Sequence, residues 1–203
     1  MNALEQLRQE HKAITTMLDI LEAIASRLEK GEGVDANDLE RVLEFISVFS
    51  DRCHHGKEED LLFPAMERAG IPREGGPIGC MLSEHDRGRE HVRQMREATA
   101  AYTRGDVHAG PVIARSARDY VGVLREHIDK EDTILYPMAE QHVPRRELEA
   151  LEDAFEKVET QRVGKGKHEA FHRLLESLAE KYLAPRARPA AGHVCVGSPR
   201  GVS

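Results

Sequence analysis

Two stretches of this chain carry the same arrangement of metal-binding residue types. His54-His55-Gly56-Lys57-Glu58-Glu59-Asp60-Leu61-Leu62-Phe63-Pro64 aligns without a gap against His127-Ile128-Asp129-Lys130-Glu131-Asp132-Thr133-Ile134-Leu135-Tyr136-Pro137. Upstream of each lies a Glu-His pair, Glu10-His11 and Glu84-His85. Each half of the chain therefore offers two imidazoles and a carboxylate: His11, His54 and Glu58 in one, His85, His127 and Glu131 in the other. On a helix, His and Glu four residues apart share one face, so His54 with Glu58 and His127 with Glu131 can reach one site from opposite sides. Four imidazoles and two carboxylates are too many for a tetrahedral zinc ion. They suit two iron ions bridged by the carboxylates, since both ligand types fit iron. His55 also has a glutamate four residues on, Glu59, but His55 aligns with Ile128, and the repeat favours His54 with Glu58.

The elements that must position these residues read as helices. Asn2 with Glu5 forms a capping-box start, and Leu4, Leu7, His11, Ile14, Leu18, Leu21 and Leu28 mark one face of a first helix running to about Lys30. Gly31-Glu32-Gly33 ends it. A second helix, capped by Asp35 or Asn37, turns Leu39, Leu43, Ile46, Ser50, His54, Glu58 and Leu61 inward, and Pro64 bends or ends it. The Gly- and Pro-rich run 70–79 is a loop. A third helix begins near Ile78 and a fourth at Pro111, which suits a helix start; the fourth closes near Pro137. This predicts an all-α fold, an up-down four-helix bundle over 1–140. His11 and His85 lie near the starts of their helices, and His54 and His127 near the ends of theirs. In an up-down bundle these positions fall at one level. Residues 141–184 read as two C-terminal helices packing on the bundle or on a partner, and 185–203 as a disordered tail.

Composition narrows the function classes. The net charge of −7 argues against nucleic acid as the main partner. No apolar run approaches the roughly 20 residues that span a bilayer. Three cysteines without metal-type spacing, Cys53, Cys80 and Cys195, point to a reducing, cytoplasmic setting. Cys53 and Cys80 read as small core residues. Tyr120, two turns before His127, reads as core or as pocket lining. Glu10, Glu84, Asp51 and Glu59 are placed to orient the imidazoles. His168 and His172 form an i, i+4 pair on the last helix and lack further ligands for a second metal site.

The order His11, His54-x-x-x-Glu58, His85, His127-x-x-x-Glu131, with its Leu-Phe-Pro and Leu-Tyr-Pro followers, resembles the hemerythrin-like (HHE cation-binding) domain over about residues 1–140. The resemblance implies a four-helix bundle around a non-haem di-iron centre (Fe2+/Fe3+) with an oxo or hydroxo bridge. Glu58 and Glu131 would bridge the irons and the four histidines would be terminal ligands. Oxygen-carrying members have a second histidine four residues after the one on the third helix; here that position is Arg89. A four-histidine site resembles the di-iron bacterial proteins linked to iron–sulfur cluster repair and nitric oxide stress. The expectation is a protein that binds or reacts with O2, peroxide or nitric oxide in a stress response. If it turns over, the chemistry is peroxide dismutation or nitric oxide reduction. The alternative is a non-enzymatic oxygen or iron sensor, or an iron-handling module, whose C-terminal helices meet a protein partner.

Overall fold

The computed structural model describes residues 2–164 and 166–183. The tail expected over 185–203, with His193 and Cys195, lies outside the described residues. The described residues form helices and no strand. Helix α1 is Ala3–Glu29. Helix α2 is a continuous rod over 36–68, made of Ala36–Phe45, Ile46–His55, Glu58–Leu62 and Phe63–Arg68. Helix α3 is Pro77–Thr103. Helix α4 runs over 109–142 through Ala109–Lys130, Glu131–Leu135 and Tyr136–His142. Arg145–Val158, prolonged by Glu159–Val163, is α5, and Lys167–Tyr182 is α6. No described helix is long and apolar enough to cross a membrane.

The first helix starts as its sequence dictates. The Asn2 side chain accepts from the Glu5 N–H at 2.8 Å, and the Glu5 carboxylate accepts from the Asn2 N–H at 3.1 Å. Both satisfy donors that a helix start leaves free. Gly31, at φ +69°, then reverses the chain in a conformation that side chains with a Cβ disfavour.

Neither proline ends its helix. Pro64 and Pro137 lie within α2 and α4, which continue to Arg68 and His142. Each proline is preceded by a widened, π-type turn. The Phe63 N–H bonds back five residues to the Glu58 carbonyl, and the Tyr136 N–H to the Glu131 carbonyl. A proline lacks the N–H its i−4 carbonyl would need, and the wider turn accommodates that loss without breaking the rod. A longer π-type stretch, Ile46–His55, precedes it in α2, with the Gly56 N–H bonded to the Asp51 carbonyl. Helix α4 starts at Ala109, two residues ahead of Pro111.

The buried apolar residues fall into two clusters with a polar layer between them. One holds Ile14 to Leu28 of α1, Leu39 to Phe49 of α2, Met95 of α3 and Ile113 to Leu124 of α4. The other holds Leu4 and Leu7, Leu62 to Met66, Ile78 and Met81, and Leu135 to Ala139. In every bundle helix the gap between the clusters is where the His-Glu motifs lie. The C-terminal helices cap both clusters. Leu151 and Phe155 of α5 join the second, and Phe171, Leu174, Leu175, Leu178 and Tyr182 of α6 join the first. Tyr182 and Lys181 donate to the buried Asp38 carboxylate at 2.8 and 2.5 Å, fixing α6 to the start of α2. Cys53 is buried in the core, but Cys80 is exposed, where a core position was expected. It lies in the first turn of α3, one residue from the inward-facing Met81.

Candidate metal centre

The polar layer brings together all six residues singled out by the repeat, and adds a seventh. His11, His54, Glu58 and Glu131 form one group whose potential ligand atoms lie within 4.8 Å of one another. His55, Glu58, His85 and His127 form a second. All seven are buried. His55, which the alignment with Ile128 argued against, faces the second group because α2 is not α-helical there. The wide turn over Ile46–His55 carries more residues per revolution, so consecutive histidines both point inward. The signal was the His-His pair itself, which an i, i+4 analysis cannot use.

Four imidazoles share one mode of anchoring. Their Nδ1 atoms meet a carboxylate: His11 with Asp132 at 2.9 Å, His54 with Glu10 at 2.9 Å, His85 with Glu59 at 2.6 Å and His127 with Glu84 at 3.1 Å. Their Nε2 atoms point to the centre. His85 Nε2 and His127 Nε2 are 3.1 Å apart. His11 Nε2 and His127 Nε2 each lie 3.2 Å from an oxygen of Glu131. A carboxylate on one ring nitrogen fixes the tautomer and leaves the other nitrogen free to ligate. Glu10, Glu84 and Glu59 thus do the orienting expected of them. Asp51 instead lies 3.5 Å from His55 Nδ1 and accepts from Arg89 at 2.9 Å. Asp132 is an addition; it stands five residues after His127, as Glu59 does after His54.

Behind these carboxylates stand two lysines, one from each repeat. Lys57 is completely buried and donates to Glu10 at 2.5 Å and to Glu159 of α5 at 2.6 Å. Burial alone would lower its pKa, but the two carboxylates raise it above the usual lysine value, so it stays charged. Lys130 donates to Glu84 in the same way at a more exposed position. Glu10, Glu159 and His168 also approach one another. The Lys57 ammonium already neutralises that grouping.

The centre fits a multivalent cation. Glu58 Oε2 and both oxygens of Glu131 are fully buried and make no hydrogen bond of ordinary geometry, the nearest imidazole nitrogens standing 3.2 Å from Glu131. Buried polar atoms of this kind are costly unless something pairs them. Tyr136 donates to the other Glu58 oxygen at 2.6 Å. Burial and the facing Glu131 carboxylate push Glu58 well above the usual range. Glu131 is held well below it: burial opposes this, but the His127 and His11 imidazoles overcome burial. His11 is likewise raised to about 9 against burial, by its Asp132 hydrogen bond and the Glu131 charge. His127 is raised to about 10 against burial, by Glu131 and Glu84. Burial dominates at His54 and lowers it to about 4, although Glu10 opposes that shift. Protons on His11 and His127 balance the Glu131 carboxylate, and a bound cation would take over that role.

Comparison with known proteins identifies the family of the chain. The profile of the hemerythrin HHE cation binding domain matches residues 2–139. An uncharacterised protein of Mycobacterium tuberculosis is 25% identical over 176 residues, which cover 87% of this chain and 67% of that protein. The iron-sulfur cluster repair protein YtfE of Yersinia pseudotuberculosis is 30% identical over 88 residues, 42% of this chain and 40% of that protein. No solved structure matches the chain significantly. With its paired His-Glu motifs gathered in one buried layer of an all-helical bundle, the chain belongs to the hemerythrin HHE cation-binding family.

Proposed function

We propose that the polar layer holds two iron ions and that the protein reacts with O2, peroxide or nitric oxide. The observation that carries this reading is the pair of overlapping ligand groups, which share Glu58. His11, His54 and Glu131 would complete one metal position, and His55, His85 and His127 the other. When bound, the irons supply one-electron redox chemistry between Fe(II) and Fe(III). The chain's own residues do the rest. Glu10, Glu59, Glu84 and Asp132 hold the imidazoles by Nδ1 and keep Nε2 inward. Tyr136 fixes one oxygen of Glu58, and apolar clusters pack the layer from both ends. With turnover, the reaction would be peroxide dismutation or nitric oxide reduction. The resemblance of one segment to a cluster repair protein supports a role in stress.

The test is anaerobic loading with Fe(II), then separate additions of O2, peroxide and nitric oxide. The expected result is about two irons per chain and a near-ultraviolet band after oxidation. The Glu58→Ala variant should retain neither iron. A single zinc per chain, with no iron in anaerobically prepared protein, would sink the reading.

A second reading, a sensor of iron or oxygen state, is favoured by one contact. Glu159 on α5 touches Lys57, and Lys57 touches the carboxylate that holds His54. The state of the centre can reach the C-terminal helices by this route. Oxidation should then change the protease susceptibility of residues 159–183 in the natural chain but not in Glu159→Gln. No change in either protein rejects sensing.

A further inference from the structure

Beside the metal centre, between α2 and α3, lies a cavity of about 250 Å³ whose floor is His55 and His85. At roughly 30 Å³ per water, this is room for about eight water molecules. It is far more than a diatomic molecule or peroxide needs. Its walls are mostly apolar, from Ile46, Val92, the ring of Tyr120 and the bare Cα of Gly88, and the one carboxylate in the lining, Asp51, is paired with Arg89. Its rim carries three guanidinium groups, Arg89, Arg93 and Arg96.

The three arginines are not equivalent. Arg89 is neutralised by Asp51 and Glu59, at 2.8 and 2.7 Å. Arg93 is neutralised by Glu90 and Glu97. Arg96 donates only to the Ser47 hydroxyl, at 2.7 Å, and no described carboxylate pairs with it. An unneutralised guanidinium beside a hydroxyl, above an apolar well, recognises an anion that carries an apolar body.

We propose that this cavity binds a small organic monoanion, a short-chain monocarboxylate being its simplest form. The charge sits at Arg96 and Ser47. The apolar body lies between Ile46, Val92 and Tyr120, and its far end meets the His55–His85 face of the centre. Binding itself does not depend on iron. That the bound molecule would be a reactant or effector of the centre rests on the di-iron reading above.

The full-length protein as purified, with its metal content measured, is titrated calorimetrically with hexanoate, 1-hexanol and nitrate. Hexanoate should bind at least tenfold more tightly than either of the others, because each lacks one of the two recognised features. Arg96→Gln should weaken hexanoate roughly tenfold, the equivalent of one charge-assisted hydrogen bond, and leave 1-hexanol unchanged. Val92→Phe, which fills the well, should remove both. Lys12→Gln, in a separate surface cleft that His11 also lines, should change nothing. Arg96 is exposed and Val92 borders the core with space on its cavity side, so circular dichroism melts of both variants should match the parent. Nitrate binding as tightly as hexanoate would overturn the proposal in favour of an inorganic anion site. Hexanoate binding that survives both cavity variants would place the site elsewhere and overturn the proposal too. Absence of iron with intact, Arg96-dependent binding would sink the di-iron reading and leave the cavity site standing.

Discussion

In the half of the chain built from α1 and α2, Glu10 holds His54 and Lys57 holds Glu10. In the half built from α3 and α4, Glu84 holds His127 and Lys130 holds Glu84. The cross-contacts match as well: Asp132 of the second half holds His11 of the first, and Glu59 of the first holds His85 of the second. Two equivalent positions break this symmetry. His55 faces the centre where the other half has Ile128. Tyr136 brings a hydroxyl to Glu58 and His11, whereas the equivalent Phe63 stacks against His85 at 6.0 Å. One ligand group thus gains a third imidazole and the apolar, arginine-rimmed cavity. The other gains a phenol. What the halves share builds the scaffold, and what they do not share makes the two groups of potential ligands chemically different.

The largest expected effect comes from restoring the symmetry at His55. His55→Ile gives α2 the residue that α4 has, and removes an imidazole that stacks on His85 at 3.9 Å. Iron content should fall to about one per chain, since the group around His85 and His127 loses a ligand while the group around His11 and His54 keeps its own. Elemental analysis with Mössbauer spectroscopy reads this directly. Two equivalent irons in the variant would show that His55 is not a ligand and that the halves work alike.

The two lysines test how far the shared scaffold is equal in energy. Lys57 is buried between two carboxylates, whereas Lys130 is one-third exposed beside one. Removing one partner of a buried ionic network leaves uncompensated charge and costs about 3–5 kcal/mol. A half-exposed pair contributes about 0–1 kcal/mol. Lys57→Met should therefore lower the unfolding free energy by at least about 3 kcal/mol, and Lys130→Met by about 1 kcal/mol or less, in denaturant melts. Equal losses would mean that Glu159 and the C-terminal helices do not set Lys57 apart.

The bundle, the inward faces and the common level of four histidines were legible in the sequence, because each depends only on helical periodicity and direction. His11, His54, His85 and His127 all lie in the gap between the two apolar clusters. His55 was not legible, because a 3.6-residue period does not hold over a stretch whose backbone bonds reach back five residues. The same wide turns carried α2 and α4 past Pro64 and Pro137, where a helix end or bend was expected. Lys57 and Lys130 were visible as a repeat, yet nothing in their type suggested burial, since lysine is rarely buried unless paired. Only the fold brings Glu10 and Glu159 together around Lys57. Arg89 filled the position where a fifth histidine was sought on α3. In the structure it binds Asp51 and Glu59, the carboxylates next to His55 and His85.

The smallest effect, and the finest probe of the asymmetry, is at Tyr136. Its hydroxyl donates to Glu58 Oε1 at 2.6 Å and lies 3.2 Å from His11 Nε2. Its ring stacks on His11 at 5.4 Å. Tyr136→Phe keeps the ring and removes only the oxygen, and Phe63 shows that the repeat accommodates phenylalanine at this position. Packing should survive, so the loss of stability should be near 1 kcal/mol, the value of one hydrogen bond. Glu58 would lose the group that fixes its orientation, and such losses typically weaken a metal site about tenfold or more. The loss should be greater for the iron beside His11 and His54, because the phenol touches His11 as well as the shared Glu58. Competition with a chelator, followed iron by iron, should show one release phase accelerated more than the other. Two equally accelerated phases would mean that Glu58 transmits the change to both positions, and that the two sites act as one unit despite their different surroundings.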